Sequence, residues 1–347
     1  MSSHATRVEI GGDFRFGRER VGPHQPDVYM RESVPMTKIS KQVWSCTSEP
    51  VPPGIYRYFF VVDGLRTLDS LNPWKSYVER GDAYSLVQIR GDTTMPWEVS
   101  PEIPHGTIVL EKMYSNTLHQ LKSCSIYLPV GYSSTGRQYP VLYLLHGGGG
   151  NYLEWLFKGY VDNLLDAFFA RPNVNKYMVV MPEGHISTPD EHYRALVARD
   201  HAPNGIPSFF QANFSEKHVN YFVNDLLPYI EGKYHIATEN RVIAGLSMGS
   251  AQSLNVAMTH PELFQALGVF SGGSLMLEKF LQIGDGLKQI KKIYVSCGIY
   301  DTLLEGGREL HNAMESREIP HYYVETDDGG HIWHVWRNAL PAFLSLL

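Results

Sequence analysis

The sequence predicts an α/β protein in which a sheet of mostly parallel strands follows a smaller all-β region. Near-continuous apolar runs such as Val141–Leu145 are typical of strands that are covered on both faces of a parallel sheet. From about residue 105, such runs alternate with segments whose apolar residues follow a helical period. Residues 1–95 contain short alternating segments and turn signals instead, without a helical period.

Two domains are expected in a chain of 347 residues. Residues 1–95 are predicted to form a small all-β domain, an immunoglobulin-like sandwich, with strands at Gln42–Cys46, Ile55–Val62 and Tyr84–Ile89. Residues 96–104 hold three prolines and are predicted to be a linker. Residues 105–347 are then the larger α/β domain.

Strands and helices of the larger domain follow from periodicity. The stretch from Glu216 to Lys233 has one clean apolar face and predicts the strongest helix, and a second apolar stripe begins at Val161. Strands are predicted at Ser123–Tyr127, Val141–Leu145, Met178–Met181, Arg241–Ala244, Lys292–Ser296 and His321–Glu325.

Composition excludes several classes of partner. The formal net charge is −6 and there is no Lys/Arg run, so we expect neither a nucleic-acid nor an anionic-membrane partner. No apolar stretch approaches the ~20 residues that span a bilayer. Residues 1–20 lack an apolar core, so we expect no signal peptide; a cytoplasmic chain and a chain whose leader was removed both fit.

The three cysteines, Cys46, Cys124 and Cys297, are odd in number and far apart, which does not fit a disulfide framework. Cys124 and Cys297 lie in apolar runs and are predicted to be buried thiols. No Cys/His spacing resembles a zinc site, so we expect no metal.

The most informative segment is Arg241–Gly249, an apolar strand that ends in Gly245-Leu246-Ser247-Met248-Gly249. Gly-x-Ser-x-Gly at a strand-to-helix turn lifts the serine hydroxyl clear of the backbone, as in α/β-hydrolases. We therefore predict that Ser247 is a nucleophile and that the larger domain has the α/β-hydrolase fold.

A serine hydroxyl needs a base, and the base needs an orienting carboxylate. His331 follows the last predicted strand, and Asp301 follows the strand before it, which gives the chain order Ser, Asp, His. His334 is an alternative base, and Asp327 and Asp328 are alternative acids that more plausibly shape a turn.

An oxyanion in such a site needs two backbone donors. The first is predicted to be the N–H of Met248, the residue after the nucleophile. The second is predicted in the loop His146–Gly150, which has the HGGG pattern; we favour Gly148, with Gly147 or Gly149 as alternatives. His146 is predicted to shape the loop. No metal or organic cofactor is required for this chemistry.

These motifs together resemble the esterase D family, and within it carbohydrate esterase family 1, the feruloyl and acetylxylan esterases. The resemblance covers roughly residues 105–347 and departs from the family at Ser250, where a second glycine is frequent. Pro53–Gly64, followed by Asp69 and Asn72-Pro73, resembles the family 48 carbohydrate-binding module. The module looks short or divergent before Trp44.

The resemblance implies a feruloyl esterase that acts on hydroxycinnamoylated or acetylated plant polysaccharide or oligosaccharide. Acetylxylan esterase, siderophore (enterobactin-type) esterase and an inactive hydrolase-fold glycan-binding protein are the alternatives. Aromatic side chains near the site are candidates for stacking against the acyl group or a sugar. They are Trp155, Trp333, Phe209 and Phe210 for the substrate, and Trp74 for a glycan on the N-terminal domain.

Overall fold

The computed structural model describes residues 5–13, 33–48, 50–51, 53–76, 83–92, 95–133, 136–188, 191, 211–326 and 329–347. Phe209 and Phe210, and likewise Asp327 and Asp328, lie outside the described residues.

The N-terminal region is rich in antiparallel sheet. Its longest strand pairs with one neighbour along one edge and with two short strands that share the other edge. The five-stranded sheet has the order β2-β1-β5-β6 with β7 also on β5, and β3 pairs with β4. The strands are β1 (Val8–Gly12), β2 (Ser33–Pro35), β3 (Thr37–Lys38), β4 (Trp44–Ser45), β5 (Gly54–Val62), β6 (Leu65–Thr67) and β7 (Ser85–Ile89).

The larger region is built on an eight-stranded sheet in the order β15-β14-β13-β12-β10-β11-β9-β8. The first six strands of this order are parallel, and β9 and β8 are antiparallel to their neighbours. The strands are β8 (Thr107–Ser115), β9 (Gln120–Leu128), β10 (Tyr139–Leu145), β11 (Met178–Pro182), β12 (Ile236–Leu246), β13 (Ala266–Phe270), β14 (Lys292–Gly298) and β15 (Tyr322–Thr326).

Helices cover both faces of this sheet. Two helical stretches are joined by a π-helical turn, Tyr221–Leu226, and three 3₁₀ turns lie at Pro261–Leu263, Gly273–Met276 and Gly284–Gln289. The α-helices are α1 (Glu154–Phe157), α2 (Val161–Phe169), α3 (Glu216–Asn220), α4 (Leu227–Lys233), α5 (Met248–Thr259), α6 (Leu277–Ile283), α7 (Leu304–Ser316) and α8 (Trp333–Leu344).

Alternation along β10 shows why the central strands are apolar throughout. Val141, Tyr143 and Leu145 pack into one core cluster with the Glu216–Lys233 helix, while Leu142 and Leu144 pack into a second cluster with α2 and α8. All five side chains are fully buried. A strand buried on both faces cannot show the polar alternation of a half-exposed strand, and the continuous apolar run is the expected result.

The six strands predicted for this region are all present; five have longer bounds, and the last is shifted by one residue to Tyr322–Thr326. Two strands of this sheet, β8 and β13, were not predicted from the sequence. The five residues of β13 include Gly268, which weakens the strand pattern, and β8 alternates exposed and half-buried side chains at the sheet edge. The strong helix from Glu216 to Lys233 is continuous apart from its π turn.

None of the helices that the structure describes combines the length and the apolar character that crossing a membrane requires. Cys124 and Cys297 are buried as predicted, and burial raises the pKa of the Cys124 thiol to about 12. All three cysteines are free thiols.

The N-terminal region packs directly on the larger region. Arg337 of α8 is 1 % exposed; its guanidinium donates to the carbonyl of Ile55 on β5 at 3.1 Å and to that of Lys158 at 2.6 Å. Trp97, from the predicted linker, is buried beside this guanidinium. The distance between the Trp97 ring centroid and the Arg337 Cζ is 5.3 Å. The carbonyl of Trp97 accepts a hydrogen bond from Asn163 of α2. The predicted linker is therefore part of a packed interface.

Candidate active site

Four parallel strands bring the predicted catalytic groups to one edge of the sheet. Ser247 follows β12, Asp301 follows β14 by three residues, His331 follows β15, and the loop from His146 follows β10. Because parallel strands present their carboxyl ends at the same edge, groups distant in sequence meet there.

The three side chains form one hydrogen-bonded chain. The Ser247 Oγ lies 2.8 Å from the His331 Nε2, and the His331 Nδ1 lies 2.9 Å from the Asp301 Oδ2. This geometry fits a serine that donates to the imidazole, which in turn donates to the carboxylate. His334, the alternative base, is buried on α8 and lies near Asn338.

Asp301 is held ionised in a buried position. Its side chain is fully buried, whereas the side chain of His331 is 29 % exposed. Burial alone would raise the pKa of the Asp301 carboxyl, but the charge and hydrogen bond of His331 and the amide of Leu303 outweigh burial and lower this pKa. A buried carboxylate with a depressed pKa can stabilise an imidazolium as it forms.

The backbone at Ser247 is strained in the manner that the elbow requires. Ser247 has φ of 51° and ψ of −118°, an unusual conformation for a residue with a side chain. Its amide donates to the carbonyl of Phe270 at 2.8 Å, which ties the elbow to β13. A Cβ on Gly249 would lie 2.4 Å from the carbonyl oxygen of His146, so this position excludes any side chain.

Ser250, the departure from the esterase pattern, donates through its Oγ to the carbonyl of Ser247 at 2.7 Å. A Cβ on Gly272 would lie 2.3 Å from that Oγ. The Ser250 side chain therefore fits because the facing residue after β13 is a glycine.

The glycine loop passes beside Ser247. A Cβ on Gly147 would lie 3.5 Å from the Ser247 Cβ. The Gly147 amide donates to the Glu154 carboxylate at 3.2 Å, and the Gly150 amide donates to the Gly147 carbonyl at 3.1 Å. These bonds occupy Gly147, one of the alternative donors, and leave Gly148 and Gly149 as the amides of the loop that could face an oxyanion.

The buried side chain of Glu154 holds the glycine loop in place through the Gly147 amide. The Glu154 carboxylate is paired with the Lys158 ammonium at 2.9 Å, and both side chains are about 5 % exposed or less. A Cβ on Gly150 would lie 1.8 Å from the Glu154 Oε2, so the loop closes tightly over the carboxylate. Sequence reasoning missed Glu154; its i, i+4 spacing to Lys158 on α1 is the available signal.

His146 is buried and shapes the loop, in agreement with the predicted role. Its Nδ1 lies 2.8 Å from the Gly147 carbonyl oxygen, and its Nε2 lies 3.3 Å from a Glu183 carboxylate oxygen. Burial lowers the pKa of His146, but the carboxylates of Glu183 and Glu154 outweigh burial and raise it. The His146 Nε2 also accepts a hydrogen bond from the Gly184 amide at 2.9 Å, so both ring nitrogens are engaged by the loops around the site.

Two predicted substrate contacts are corrected by the structure. Trp155 is 1 % exposed and donates through its indole N–H to the Leu145 carbonyl at 3.0 Å. Trp333 is 6 % exposed and packs edge-on against Trp155 with ring centroids 5.2 Å apart. Both rings belong to the core cluster that also contains residues of α2 and α8, and their burial leaves neither ring with an exposed face for a substrate.

The aromatic ring next to the base is Trp336. It packs edge-on against His331 with ring centroids 4.9 Å apart and donates through its indole N–H to Ser271 at 3.0 Å. Ser271 follows β13 with φ of 55°. Both residues were missed; the run Ser271-Gly272-Gly273 after an apolar segment is the signal that could have found Ser271.

Trp74, the predicted glycan contact, is half-buried instead of freely exposed. It packs edge-on against Tyr160 of the larger region with ring centroids 5.5 Å apart, beside Ile55, Leu86 and Trp97. The interface between the two regions occupies this ring, which sequence reasoning had placed on the surface. Trp44 packs with Tyr58 and Phe60 in the N-terminal core.

Comparison with known proteins gives a family and a set of relatives. The profile of the family Esterase, described as "Putative esterase", matches residues 115–347. An endo-1,4-beta-xylanase/feruloyl esterase of Xylanibacter ruminicola is 27% identical over 312 residues, which cover 88% of this chain and 40% of that protein. An acetyl esterase of Caldicellulosiruptor saccharolyticus is 26% identical over 57% of this chain and 79% of that protein. The chain thus spans about two fifths of the xylanase/feruloyl esterase.

Solved structures with the same fold include two esterases of different substrates. A ferulic acid esterase from Anaeromyces mucronatus, in complex with ferulic acid, is 18% identical with a TM-score of 0.60 and covers 72% of this chain and 93% of that chain. The enterobactin esterase from Shigella flexneri is 17% identical with a TM-score of 0.68 and covers 99% of this chain and 88% of that chain.

Proposed function

The chain belongs to the Esterase family and is an esterase, and from that premise we propose that it is a feruloyl esterase with Ser247, His331 and Asp301 as its catalytic triad. The substrate class is hydroxycinnamoylated plant polysaccharide or oligosaccharide. The observation that carries the acyl specificity is the similarity to a xylanase/feruloyl esterase, which extends over 88% of this chain and so includes the N-terminal region.

The geometry supports a two-step acyl transfer. Ser247 attacks the ester carbonyl while His331 takes the hydroxyl proton, and the buried Asp301 carboxylate stabilises the resulting imidazolium. The carbonyl oxygen becomes an oxyanion, for which the amides of Gly148 and Met248 are the proposed donors. His331 then protonates the leaving alkoxide, and the alcohol departs from the acyl-enzyme.

The second step runs through the same groups. Water attacks the acyl-enzyme while His331 accepts its proton, and collapse of the intermediate returns that proton to Ser247 and releases the acid. The bond between the Ser247 Oγ and the acyl carbon forms in the first step as the ester bond to the alcohol breaks, and it breaks in the second step as the bond to water forms. The residues present therefore suffice for ester hydrolysis.

We propose that the N-terminal region is a diverged family 48 carbohydrate-binding module with an immunoglobulin-like sandwich, spanning residues 1–95, and that it serves mainly as a packing partner. Trp74 lies against Tyr160, and Arg337 is bonded to the Ile55 carbonyl. Both contacts hold the N-terminal region against the larger region. An aromatic ring that packs in an interface is not free to stack on a sugar.

A siderophore esterase is the second candidate. The observation that favours it is the fold similarity to the enterobactin esterase over 99% of this chain, which exceeds the coverage by the ferulic acid esterase. Three described cations of the larger region, Lys122, Lys158 and Arg337, are buried and bonded to Glu154 or to backbone carbonyls. These three side chains are committed to the protein's own groups instead of to catecholate anions, which favours the feruloyl proposal.

The test is steady-state hydrolysis of methyl ferulate, 4-nitrophenyl acetate and enterobactin by the full chain, each compared with Ser247→Ala. Ser253→Ala is the matched control, because Ser253 lies on the same helix and donates to the Gly249 carbonyl away from the base. We expect methyl ferulate turnover in the wild type and in Ser253→Ala, and its loss in Ser247→Ala.

Turnover of 4-nitrophenyl acetate alone would replace the feruloyl assignment with an acetyl or other small-acyl esterase. Preferred turnover of enterobactin would establish the second candidate. Hydrolysis that survives in Ser247→Ala would overturn the triad itself.

A further inference from the structure

Helix α7 and the edge strand β15 are joined by a ladder of polar and aromatic contacts. Arg308 makes a bidentate ion pair with Glu325, with nitrogen–oxygen distances of 2.7 and 2.8 Å. The ring of His311 stacks on Tyr323 with centroids 4.4 Å apart and planes 6° apart. Arg308 and His311 are three apart on the helix, and Tyr323 and Glu325 are two apart on the strand. Each pair therefore lies on one face of its element, which lets the two contacts form side by side.

The ladder continues to a cluster of three side chains with metal-ligating atoms. His311 and Glu315 are four residues apart on α7, and His321 precedes β15. The ligand atoms of all three lie within 4.8 Å of one another. His311 and His321 are half-buried, while Glu315 is exposed.

The tautomers in the cluster follow from its hydrogen bonds. The His321 Nδ1 lies 2.8 Å from the Ile319 carbonyl oxygen, which can only accept, so this nitrogen carries a hydrogen. The His321 Nε2 therefore has a free lone pair and lies 2.8 Å from the His311 Nδ1. One proton between two ring nitrogens holds the pair together. A backbone carbonyl that orients a ligating histidine in this way is typical of metal sites.

We propose that His311, Glu315 and His321 bind a Zn²⁺ ion that links α7 to the edge strand. The ion takes the place of the proton between the rings, and that proton moves to the His311 Nε2, so both imidazoles bind the metal as neutral rings. Zinc–nitrogen bonds of about 2.0–2.1 Å in a tetrahedral site separate the two nitrogens by roughly 3.3 Å, so the rings need to part by only about half an ångström. Water takes the fourth position.

The position of the site indicates a structural ion. His321 lies at the amino end of β15, whereas Ser247, Asp301 and His331 lie at the carboxyl edge of the sheet. The five residues of β15 separate the two by about 16 Å at the usual strand rise. A link between the outermost strand and its covering helix protects a sheet edge, which is otherwise open to pairing with other chains.

The experiment is calorimetric titration of the full, metal-free chain with ZnCl₂, with MgCl₂ as the comparison because Mg²⁺ prefers oxygen ligands. The variants are His321→Gln and Glu315→Gln. His260→Gln is the matched control, because His260 also lies 3.3 Å from a carboxylate, that of Glu262, but without a second histidine.

We expect one more equivalent of Zn²⁺ in the wild type and in His260→Gln than in His321→Gln. We also expect an affinity at least tenfold lower in Glu315→Gln and a Tm that rises with Zn²⁺ only where the site is intact. Hydrolysis of 4-nitrophenyl acetate without zinc should be the same in all four proteins.

Equal stoichiometry and equal Tm shifts in the wild type and in both site variants would overturn the proposal. Glu315 is exposed, so its variant is expected to fold and keeps the comparison valid if His321→Gln does not. Because the readouts are binding and Tm, a failure here leaves the esterase assignment untouched.

Discussion

The carboxyl edge of the large sheet and the N-terminal region fix their functional side chains in different ways. At the sheet edge, Ser247, Asp301 and His331 each follow a strand within a few residues, so the backbone delivers them to one place. In the N-terminal region, the burial of the Trp74 ring depends on its contact with Tyr160, which is distant in sequence. A sequence motif predicts the local backbone geometry at the end of a strand. It does not predict whether an aromatic ring is exposed, because that depends on which surface packs against the ring.

The largest effect that separates the two regions is expected at the sheet edge. Asp301→Asn should lower kcat by about 10⁴-fold with little change in KM, because the amide no longer holds the productive imidazole tautomer or stabilises its charge. Steady-state hydrolysis of 4-nitrophenyl acetate measures this. Glu325→Gln, on the neighbouring strand and paired with Arg308, is the control and should stay within about twofold of wild type. A loss of less than tenfold in Asp301→Asn would argue that another acid serves His331.

The next largest effect is expected at Glu154, whose carboxylate accepts a hydrogen bond from the glycine loop. Glu154→Gln removes the buried carboxylate that pairs with the Lys158 ammonium, which should cost about 3–5 kcal/mol of unfolding free energy. The same change weakens the support of the Gly147 amide and should lower kcat more than it raises KM. Urea denaturation and steady-state kinetics report the two effects.

The matched control is the double variant Glu154→Gln, Lys158→Met, which removes both charges. It should recover most of the lost stability, since both members of the buried pair are then replaced by uncharged side chains. If the double variant is as unstable as the sum of the single changes, the pair does not act as a unit.

A smaller effect is expected at the interface of the two regions. Arg337→Met should lower the unfolding free energy by about 2 kcal/mol, because the buried carbonyls of Ile55 and Lys158 lose their donor. Burial lowers the pKa of Arg337 to about 10, so the guanidinium is still charged at neutral pH. Turnover of small esters should fall by less than tenfold.

Arg308→Met is the control for the interface, since Arg308 is 38 % exposed and its ion pairs are at the surface. It should change stability by less than about 1 kcal/mol. Equal effects of the two substitutions would contradict a special role for the buried Arg337.

The smallest effect concerns pH. The folded-state pKa of Asp301 is lowered, so its contribution to stability is present above the unfolded-state pKa of about 4 and is lost as pH falls through the folded-state value. The difference in unfolding free energy between wild type and Asp301→Asn should therefore be flat above about pH 5 and decline in acid. Urea midpoints from pH 3 to pH 7 test this. A difference that is unchanged in acid would show that the carboxylate is not preferentially ionised in the folded state.

Much of the fold was readable from the sequence because apolar runs and helical stripes report burial directly. β13 was missed because five residues with a central glycine carry too little pattern. The geometry of Ser247 and the glycine loop followed from motifs whose glycines are required by close backbone approach.

What could not be predicted are contacts between distant side chains. Trp155 and Trp333 follow functional loops in sequence, but their rings point into the core under α8. Trp336, one helical turn further, takes the place beside His331. Adjacency in sequence to a catalytic residue does not fix the direction of a ring on a helix, since each residue is rotated by about 100° from the last.

The central claim is that Ser247 is the nucleophile, and an organophosphate tests it most directly. The full chain is treated with diethyl 4-nitrophenyl phosphate, which transfers a phosphoryl group to an activated serine, and the site is located by peptide mass spectrometry. We predict one phosphoryl group per chain on the peptide that contains Ser247, with ester hydrolysis lost in proportion to labelling. Labelling of a different residue, or full hydrolysis after Ser247 is labelled, would contradict the assignment.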